Sequence, residues 1–366
     1  MSEPERQLLK GNDAIAEAAL RAGCTAYFGY PITPQNEIIA YMAGRMPAMG
    51  RVFIQAESEV AAINMVYGAA AAGARAMTSS SSPGISLKQE GVSYAAGADI
   101  PLVLVNVVRG GPGLGSIAPS QSDYFQATRG GGHGDYFCIV LAPKSAQECA
   151  DLTYLAFDLA DRYRTPVIVL ADGIIGQMME GVVLPAERPL ESLPKRDWTV
   201  GQMRNRQSRH ITSLNLVPEE LEEKTKKRFL RYDEIKRKEV RFELTGPEDA
   251  DLTFVAYGTS ARVSLGAKML GERVGLKTRI FRPVTLWPFP SAALEAVGKT
   301  GKPVLVVEMS LGQLVEDVKL AVLGRAPVHL LGHAGGVIPT EEEVFETAKR
   351  ILNGTEQNGN TGGIPQ

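Results

Sequence analysis

The sequence predicts an α/β protein in which two doubly wound parallel-sheet domains are joined by a charged helical linker. Short apolar runs alternate with helical periodicity over residues 1–190, and the same alternation returns over residues 249–353. Strands covered by helices on both faces have such continuous apolar runs, so the pattern is typical of parallel sheets. Residues 191–248 are rich in charge and form the linker. Residues 354–366 are a Gly- and Asn-rich tail that we expect to be flexible.

In the first domain, short apolar runs are predicted strands and longer periodic stretches are predicted helices. The strands are expected at residues 25–29, 52–55, 74–78, 101–108, 137–141 and 166–171, and helices at 13–22, 57–73 and 146–161. The runs have the usual length of strands, and the longer stretches carry apolar residues at three- and four-residue spacing. Their alternation predicts a parallel sheet with helices on both faces.

The linker and the second domain follow the same reasoning. Pro218 is expected to begin a helix with acidic first turns and a basic end, which suits the helix dipole. Its charge run indicates a solvated connecting helix, and a partner-docking arm is the alternative. In the second domain, strands are expected at residues 252–257, 278–281, 304–308 and 328–331, and helices at 260–274, 291–297, 314–323 and 340–352.

Composition excludes several classes of protein. The 366 residues include 39 Lys and Arg against 41 Asp and Glu, and this net charge of −2 argues against a nucleic-acid partner. Cys24, Cys138 and Cys149 share no short spacing, so a zinc ribbon or a self-contained iron–sulfur cluster is excluded and no metal ligand is assigned. Cys24 and Cys138 lie beside apolar residues, so we expect them to be thiols buried in the core. The N-terminus is polar and no apolar run reaches the ~20 residues of a membrane span, so we expect a soluble cytoplasmic protein.

The most informative segment is residues 55–91. Glu57 and Glu59 open a predicted helix directly after a strand, where the helix dipole favours carboxylates. That helix continues with many Ala and Gly residues, a surface that another backbone can approach closely. The next strand runs into a polar turn at residues 79–84. The carboxylates and this turn both follow strand carboxyl ends, the sheet edge where open α/β sheets bind ligands.

These residues resemble a known family. A Glu, an Ala-rich helix ending in GAR, a strand and a Ser-Pro-Gly turn are similar to the pyrimidine-binding domain of thiamine-diphosphate enzymes. The segments GYPITPQ at 29–35, RGGPGLG at 109–115 and GGGHGDY at 130–136 narrow the resemblance to the α subunit of 2-oxoacid:ferredoxin oxidoreductases. The branched-chain (2-oxoisovalerate) type is the most similar, followed by the 2-oxoglutarate type. The second domain resembles the transketolase C-terminal-like fold.

The resemblance implies a role for particular residues around the cofactor. Glu59 is the catalytic residue, because it matches the Glu that contacts N1′ of the aminopyrimidine; Glu57 and a purely helix-stabilising role are the alternatives. The other residues expected to bind the cofactor come from the loops after two strands: Tyr30, Pro31, Ser82, Pro83 and Gly84.

Thr33 and Arg109 are the predicted substrate-binding residues. By resemblance, the Thr33 hydroxyl and the Arg109 guanidinium contact the substrate carboxylate, and a guanidinium can do so with two parallel hydrogen bonds. For Thr33 the alternative is a helix N-cap, with Pro34 in the first helical turn. For Arg109 the alternative is a salt bridge at an interface. Both residues follow predicted strands.

Two glycine-rich segments suggest further contacts. Residues 113–118 spell GxGxxA with Asp135 downstream, as in a dinucleotide fingerprint. We reject that reading, because the strand ends too early, Pro119 breaks the spacing and the glycines at 130–132 interrupt the required βαβ unit. His133 lies among glycines that leave its ring open, so it is predicted either to contact a ligand or partner chain or to be part of the loop structure.

The sequence also predicts what other chains must supply. Asp172 lies in an Ala-Asp-Gly that only partly matches the magnesium–diphosphate motif, and we interpret it as a strand-end turn. By resemblance, Mg²⁺, the diphosphate and a [4Fe-4S] cluster belong to a β subunit, γ and ferredoxin-like subunits are further partners, external ferredoxin accepts electrons, and CoA is the co-substrate. A non-catalytic scaffold and a nucleotide-dependent oxidoreductase remain alternatives.

Overall fold

The computed structural model describes residues 5–194, 196–201 and 208–354, and the described strands form three sheets. Apart from Gly354, the predicted flexible tail lies outside these residues. The first sheet has seven strands in the spatial order β12 (Thr285–Trp287), β6 (Ile139–Leu141), β7 (Pro166–Asp172), β5 (Leu102–Val108), β4 (Ala76–Ser80), β2 (Ala26–Gly29) and β3 (Val52–Gln55). All pairings are parallel except that of β12 with β6.

The second sheet has five strands and is also parallel except at one edge. Its spatial order is β14 (Val328–Gly332), β13 (Val304–Glu308), β10 (Leu252–Val255), β11 (Thr278–Pro283) and β9 (Phe242–Thr245), and β9 is the antiparallel strand. A separate antiparallel pair joins β1 (Gln7–Lys10) to β8 (Met179–Val182). The predicted α/β class is confirmed, with an antiparallel edge strand added to each parallel sheet.

Helices connect and cover these strands. In chain order they are α1 (Gly11–Arg21), α2 (Asn36–Ala48), α3 (Glu59–Ala71), α4 (Ser82–Gly97), α5 (Tyr124–Thr128), α6 (Ala146–Tyr163), α7 (Gly173–Gln177), α8 (Pro218–Lys238), α9 (Gly258–Arg273), α10 (Ser291–Gly298), α11 (Leu314–Val322) and α12 (Glu341–Leu352), with a 3-10 turn at Leu190–Ser192. In the part of the chain described, no helix combines the length and the apolar character needed to cross a membrane.

The predicted strands of both domains form close to their expected positions, because most of the apolar runs are buried on both faces; the edge strand β3 is the mostly exposed exception. Every residue of β5 and β7 is buried, and so is every residue of β13. Small side chains on α1 let it pack tightly against α6, where Ala14, Ala18 and Cys149 are fully buried. The expectation that Cys24 and Cys138 are core thiols is confirmed, since both are free and buried, and Cys149 is free and buried as well.

The strands that sequence patterns missed are short and lie at sheet edges. β12 follows β11 directly in the chain, yet it crosses to the first sheet and pairs with β6 through Thr285 and Leu141. Trp287 then stacks on the ring of Phe137, with the ring centroids 4.8 Å apart. A three-residue strand next to a proline has no periodicity to detect, so only the tertiary pairing identifies it.

The charged helix α8 is not simply a solvated connector. Tyr232 and Ile235 are fully buried, and the Arg228 guanidinium donates to the carbonyl oxygen of Gly97 at 2.9 Å. Arg231 forms an ion pair with Asp99 at 2.5 Å. One face of α8 therefore packs against the first domain at the end of α4. The opposite face carries the exposed charges that the sequence shows.

The two large sheets are joined by buried polar contacts near the carboxyl end of β7. Asp172 accepts hydrogen bonds from the backbone N–H of Thr259 at 2.8 Å and from its hydroxyl at 2.6 Å. Gln121 donates to the carbonyl oxygen of Tyr257 and accepts from Ser260 and from the N–H of Met309, at 2.8, 2.9 and 2.9 Å. Asp172 therefore ends β7 as the sequence predicted, and its carboxylate also links the two sheets, a contact that the sequence did not predict.

Candidate functional site

The site lies at the carboxyl edge of four neighbouring strands. The strands β3, β2, β4 and β5 are adjacent and parallel, so the loops that follow them leave the sheet on the same side. The chain passes from β2 to β3 on one side and then to β4 on the other. The direction of strand order therefore reverses at β2, and such a reversal opens a crevice above the sheet.

Glu59 is the first residue of α3 and its side chain points into this crevice. The hydroxyl of Ser58 caps the helix by accepting from the N–H of Ala61 at 3.2 Å. Glu59 is only 6% exposed, whereas Glu57 is exposed. A Cβ added at Gly84 would lie 2.5 Å from the Oε1 of Glu59, so the carboxyl packs directly against the glycine backbone. The structure therefore distinguishes the two candidate acids: Glu59 is buried at the site, and Glu57 is exposed to solvent.

Two hydroxyl groups at the end of β4 have no partner. The Oγ atoms of Ser80 and Ser81 are buried without a hydrogen-bond partner, and Ser80 Oγ lies beside Gly84 next to the Glu59 carboxyl. Ser82 Oγ lies 3.1 Å from both the backbone N and the carbonyl O of Arg109, accepting from the first and donating to the second. Pro83 is half-buried in the first turn of α4. Unsatisfied buried hydroxyls are costly, so their presence favours a polar ligand here.

The loop after β2 is held by polar side chains that the sequence analysis did not single out. Gln35 donates to the carbonyl of Tyr30 at 3.2 Å and accepts from Ser79 Oγ at 2.5 Å. The hydroxyl of Tyr27 is 2.6 Å from the same Ser79 Oγ. Tyr30 is half-buried and Pro31 is exposed. A buried chain of hydrogen bonds from Tyr27 through Ser79 and Gln35 to the carbonyl of Tyr30 therefore holds this loop in place.

Thr33 is exposed at the surface of this loop. Helix α2 begins at Asn36 with Gln35 as its N-cap, so the alternative of a Thr33 cap with Pro34 in the first helical turn is wrong. The Thr33 hydroxyl accepts only a long bond of 3.4 Å from Asn36. Its position leaves the hydroxyl available to a ligand, and the substrate contact remains a prediction.

The Arg109 guanidinium connects two loops. It donates to the carbonyl oxygen of Thr33 at 3.0 Å and to that of Leu114 at 3.1 Å, and its Nε is buried without a hydrogen-bond partner. Within the described residues no ion pair involves Arg109, and a salt bridge at an interface with another chain stays the alternative. The side chain holds the Thr33 loop against the glycine loop and keeps one unsatisfied N–H.

The first glycine-rich segment forms a closed loop. Gly110 donates to Ala118 and Ser116 donates to Gly110, both at 2.9 Å. No helix begins within residues 110–118, so the rejection of a dinucleotide fingerprint agrees with the structure. Leu114 is 83% exposed at the tip of the loop.

His133 lies away from the other predicted site residues. Its carbonyl accepts from Ser93 Oγ at 2.6 Å, and its ring packs edge-to-face with Tyr94 near the end of α4. Ser93 follows Gly84 by nine residues on one helix, a separation of about 14 Å along the axis. His133 instead lines a cavity of about 780 Å³ between α4 and the start of α8. Its ring is therefore remote from Glu59, and a contact there with a partner remains a prediction.

Lys88 is the residue in this region that the sequence analysis missed. Its side chain is completely buried, and Nζ donates to the hydroxyl of Thr78 at 3.0 Å and to the backbone carbonyl of Glu59 at 3.5 Å. Burial lowers the pKa of Lys88 to about 7, and the Glu59 carboxylate partly opposes that effect. The sequence held a signal, since Lys88 follows Gly84 by four residues and so shares its helix face.

A second ionisable group is buried beside Asn106 of β5 and Ser82 of α4. Asp123 accepts from the side-chain amide of Asn106 at 2.8 Å, and burial raises its pKa although that hydrogen bond and one from Ser82 act in the other direction. The Oδ1 of Asn106 has no partner. Throughout the described ranges, no group of three or more His, Cys, Asp and Glu side chains is arranged to hold a metal ion.

The assembled residues fit the aminopyrimidine end of thiamine diphosphate. A buried carboxyl can exchange a hydrogen bond with a ring nitrogen, the backbone of Gly84 provides a flat surface, and Ser80 and Ser81 offer free hydroxyls. A dry site strengthens such a charge-assisted bond. The fit involves only one end of the cofactor.

Comparison with known proteins supports this interpretation. Residues 17–238 match the thiamine-diphosphate-binding domain of pyruvate flavodoxin/ferredoxin oxidoreductase, and residues 250–344 match core domain II of pyruvate:ferredoxin oxidoreductase. The chain is 48% identical to the ketoisovalerate oxidoreductase subunit VorB of Methanothermobacter marburgensis, over 94% of this chain and 97% of that protein. It is 45% identical to the 2-oxoglutarate synthase subunit KorA of Archaeoglobus fulgidus, over 86% of this chain and 91% of that protein.

A solved structure has the same fold over nearly the whole chain. It is the 2-oxoglutarate:ferredoxin oxidoreductase of Magnetococcus marinus, solved with 2-oxoglutarate, coenzyme A and succinyl-CoA bound. The TM-score is 0.86 at 29% sequence identity, and the match covers 96% of this chain and 66% of that one.

We predict that Gly84→Ala disrupts the site because its Cβ would collide with Glu59 and Ser80. Overpacking of this kind costs about 1–3 kcal/mol of unfolding free energy, measured by urea denaturation. Gly68→Ala is the matched control, because nothing lies within 4 Å of its added Cβ on the exposed side of α3. The control should gain up to about 1 kcal/mol in helix stability. A Gly84→Ala protein as stable as Gly68→Ala would contradict the close contact.

Proposed function

The chain belongs to the pyruvate flavodoxin/ferredoxin oxidoreductase family, and from this premise we propose that it is the α subunit of a thiamine-diphosphate-dependent 2-oxoacid:ferredoxin oxidoreductase. The proposed reaction is the oxidative decarboxylation of a branched-chain 2-oxo acid to an acyl-CoA and CO2, with electrons passed to ferredoxin. The relatives named as ketoisovalerate oxidoreductase subunits support this substrate class. The relatives named as 2-oxoglutarate synthase subunits support 2-oxoglutarate as the alternative.

The observation that carries the proposal is the buried carboxyl of Glu59 packed against Gly84 at the strand crossover. An acid that is 6% exposed, lies beside the unsatisfied hydroxyl of Ser80 and begins a helix has a structural cost that a bound ligand would offset. A non-catalytic scaffold would have no use for this arrangement. The position of Glu59 therefore favours an enzyme over a scaffold.

In the proposed reaction, this chain holds and orients the aminopyrimidine. When bound, thiamine diphosphate supplies a nucleophilic carbon and accepts the electron pair released as the 2-oxo acid loses CO2. The Glu59 carboxyl would hold a proton at the N1′ atom of the ring. Ser80 and Ser81 are placed to hydrogen-bond polar atoms of the same ring, and the buried walls of the crevice exclude water.

The substrate carboxylate is assigned to Arg109 and Thr33. Arg109 has an unpaired buried N–H, and its guanidinium already holds the backbone of Thr33 in place. Small movements of these two loops would let the guanidinium exchange a carbonyl partner for a carboxylate, which binds it more strongly. The tip of the glycine loop at Leu114 would then cover the substrate.

Partner subunits complete the proposed enzyme. Cys24, Cys138 and Cys149 are free and buried in the core, and in the described residues no group of three or more His, Cys, Asp and Glu side chains is arranged to hold a metal ion. We assign Mg²⁺, the diphosphate and a [4Fe-4S] cluster to a β subunit, with γ and ferredoxin-like subunits beside it, in the cytoplasm. The exposed stripe of α3 at Val60, Asn64 and Gly68 offers that subunit a nearly flat surface.

The substrate class is tested with the complex reconstituted from this chain and its partner subunits. We expect initial rates of CoA-dependent ferredoxin reduction to be highest with 2-oxoisovalerate, compared with 2-oxoglutarate and pyruvate. The purified complex should contain thiamine diphosphate and iron. Higher kcat/KM with 2-oxoglutarate would select the alternative substrate, and a complex without thiamine diphosphate would leave only a scaffold.

Replacing the buried carboxyl should abolish cofactor activation. Glu59→Gln keeps the size of the side chain but removes the group that holds the proton, so kcat should fall at least about a hundredfold. Glu57→Gln is the matched control, because Glu57 is exposed two residues earlier and should keep its activity. Equal activities of the two variants would contradict the assignment of Glu59, provided that both co-purify with the partner subunits.

Replacing the guanidinium should weaken substrate binding selectively. Losing a hydrogen bond to a charged group costs about 1.5–3 kcal/mol, so Arg109→Ala should raise KM for the 2-oxo acid at least about tenfold and leave KM for CoA nearly unchanged. Arg109→Lys keeps the charge but cannot form two parallel hydrogen bonds with a carboxylate. Its KM for the 2-oxo acid should therefore lie between those of the wild type and Arg109→Ala. Parallel increases of both Michaelis constants would show that Arg109 only holds the two loops together.

A further inference from the structure

Lys88 is an ammonium-bearing side chain enclosed in the protein, and neither the fold nor the assigned roles explain it. It is 0% exposed and lies on α4, one helical turn beyond Gly84. Moving a charged amine out of water is expensive unless it is paired and hydrogen-bonded. An apolar side chain of the same length would fill this space at lower cost, so the amine needs another explanation.

The amine of Lys88 contacts strand β4 and Glu59. Its Nζ is anchored by the Thr78 hydroxyl of β4 at 3.0 Å, and it reaches the backbone carbonyl of Glu59 at 3.5 Å. The Glu59 carboxylate is the charge that acts on it. Lys88 therefore contacts both the strand whose end carries the free serines and the residue that begins α3.

Two other charged groups contact α4, Asp123 beside Ser82 at its start and Arg228 at the carbonyl of Gly97 at its end, and Glu59 is the charge that acts on Lys88. Strand β5 contains no ionisable side chain, and β7 contains only Asp172, whose carboxylate is bound by Thr259. On α4 itself, Glu90 is exposed and accepts from the hydroxyl of Tyr94. His133, at the far end of the helix, is exposed as well. Glu59 is thus the acid to which Lys88 is coupled.

We propose that Lys88 is a positioning residue for Glu59: its amine, held by Thr78, supports the first turn of α3 and places a positive charge beside the acid that would contact the bound aminopyrimidine. This inference rests on the proposed function, because the charge acts on the proton that Glu59 would share with that ring. A charged Lys88 disfavours protonation of the bound ring, and a neutral Lys88 does not.

The coupling would operate close to neutral pH. Burial brings the pKa of Lys88 down to about 7, so a modest change of pH changes its charge. A lysine that remained charged throughout could only hold Glu59 in place. One that titrates near neutrality also changes the electrostatic field at the bound ring as the pH changes.

The experiment follows the bound aminopyrimidine ring by near-ultraviolet circular dichroism as a function of pH. It uses the reconstituted complex loaded with thiamine diphosphate and compares wild type, Lys88→Met and Lys88→Arg. Removing the positive charge should raise the pH midpoint of the ring's transition by about one unit, a tenfold change in the protonation equilibrium. Lys88→Arg stays charged at every pH used, so its midpoint should lie at or below that of the wild type. A wild-type midpoint in Lys88→Met would overturn the proposal.

A second variant covers the case in which Lys88→Met does not assemble. Thr78→Val removes the hydroxyl that stabilises the charged amine and changes the volume little. It should shift the midpoint in the same direction by a smaller amount. An unchanged midpoint in an assembled Thr78→Val complex would then overturn the proposal.

A cofactor-free measurement tests the state of the amine directly. Because burial lowers the pKa of Lys88 from 10.5 to about 7, the unfolded chain binds a proton that the folded chain lacks between these pH values. The thermal midpoint of the wild-type complex should therefore rise with pH across that window relative to Lys88→Met. Parallel pH curves for the two proteins would contradict the titration of Lys88 near neutrality.

Glu59→Gln separates this inference from the function on which it rests. If Glu59→Gln retains the wild-type dichroism and turnover, the proposed function itself fails. If Glu59→Gln loses both while Lys88→Met keeps the wild-type midpoint, only the role of Lys88 fails. Loss of both in Glu59→Gln, together with a raised midpoint in Lys88→Met, supports the two proposals together.

Discussion

The contact between the Glu59 carboxyl and the backbone of Gly84 is the constraint on which the rest of the site depends. It joins the start of α3 to the first turn of α4, two helices that follow neighbouring parts of one sheet. Any side chain at position 84 would push the acid away, so the absence of a Cβ is what brings the carboxyl into the crevice. The parallel order β3, β2, β4, β5 then places the neighbouring loops around that carboxyl, since all these strands end at the same edge.

Polar groups beneath this contact hold it in place. The chain from Tyr27 through Ser79 to Gln35 fixes the loop after β2, and Lys88 supports the first turn of α3 from the opposite side. Arg109 then joins the loops at Thr33 and Leu114 above the crevice. The second sheet is tied to the same edge through the carboxylate of Asp172, so the site lies on a rigid support made by both halves of the described chain.

The family resemblance was predicted correctly from four short motifs, and the matches to family models and relatives confirm it. The motifs identify the family because each combines residues that are typical of a turn with a fixed spacing along the chain. The local expectations for Thr33 and Pro34 failed because the helix begins two residues later than a proline-based rule predicts. His133 was identified by its glycine neighbours, but its place at the far end of α4 depends on how residues 130–136 fold back over that helix.

The amino-acid sequence alone determined the alternating strands and helices, the buried thiols, the family and the acid at the start of α3. These properties depend on hydrophobic periodicity and local turn residues, which neighbouring positions in the chain encode. Only the tertiary structure decided that β12 crosses to the first sheet, that Lys88 lies under Glu59 and that Ser80 and Ser81 remain without partners. Those properties depend on contacts between residues far apart in the chain, and no local pattern encodes which distant groups meet.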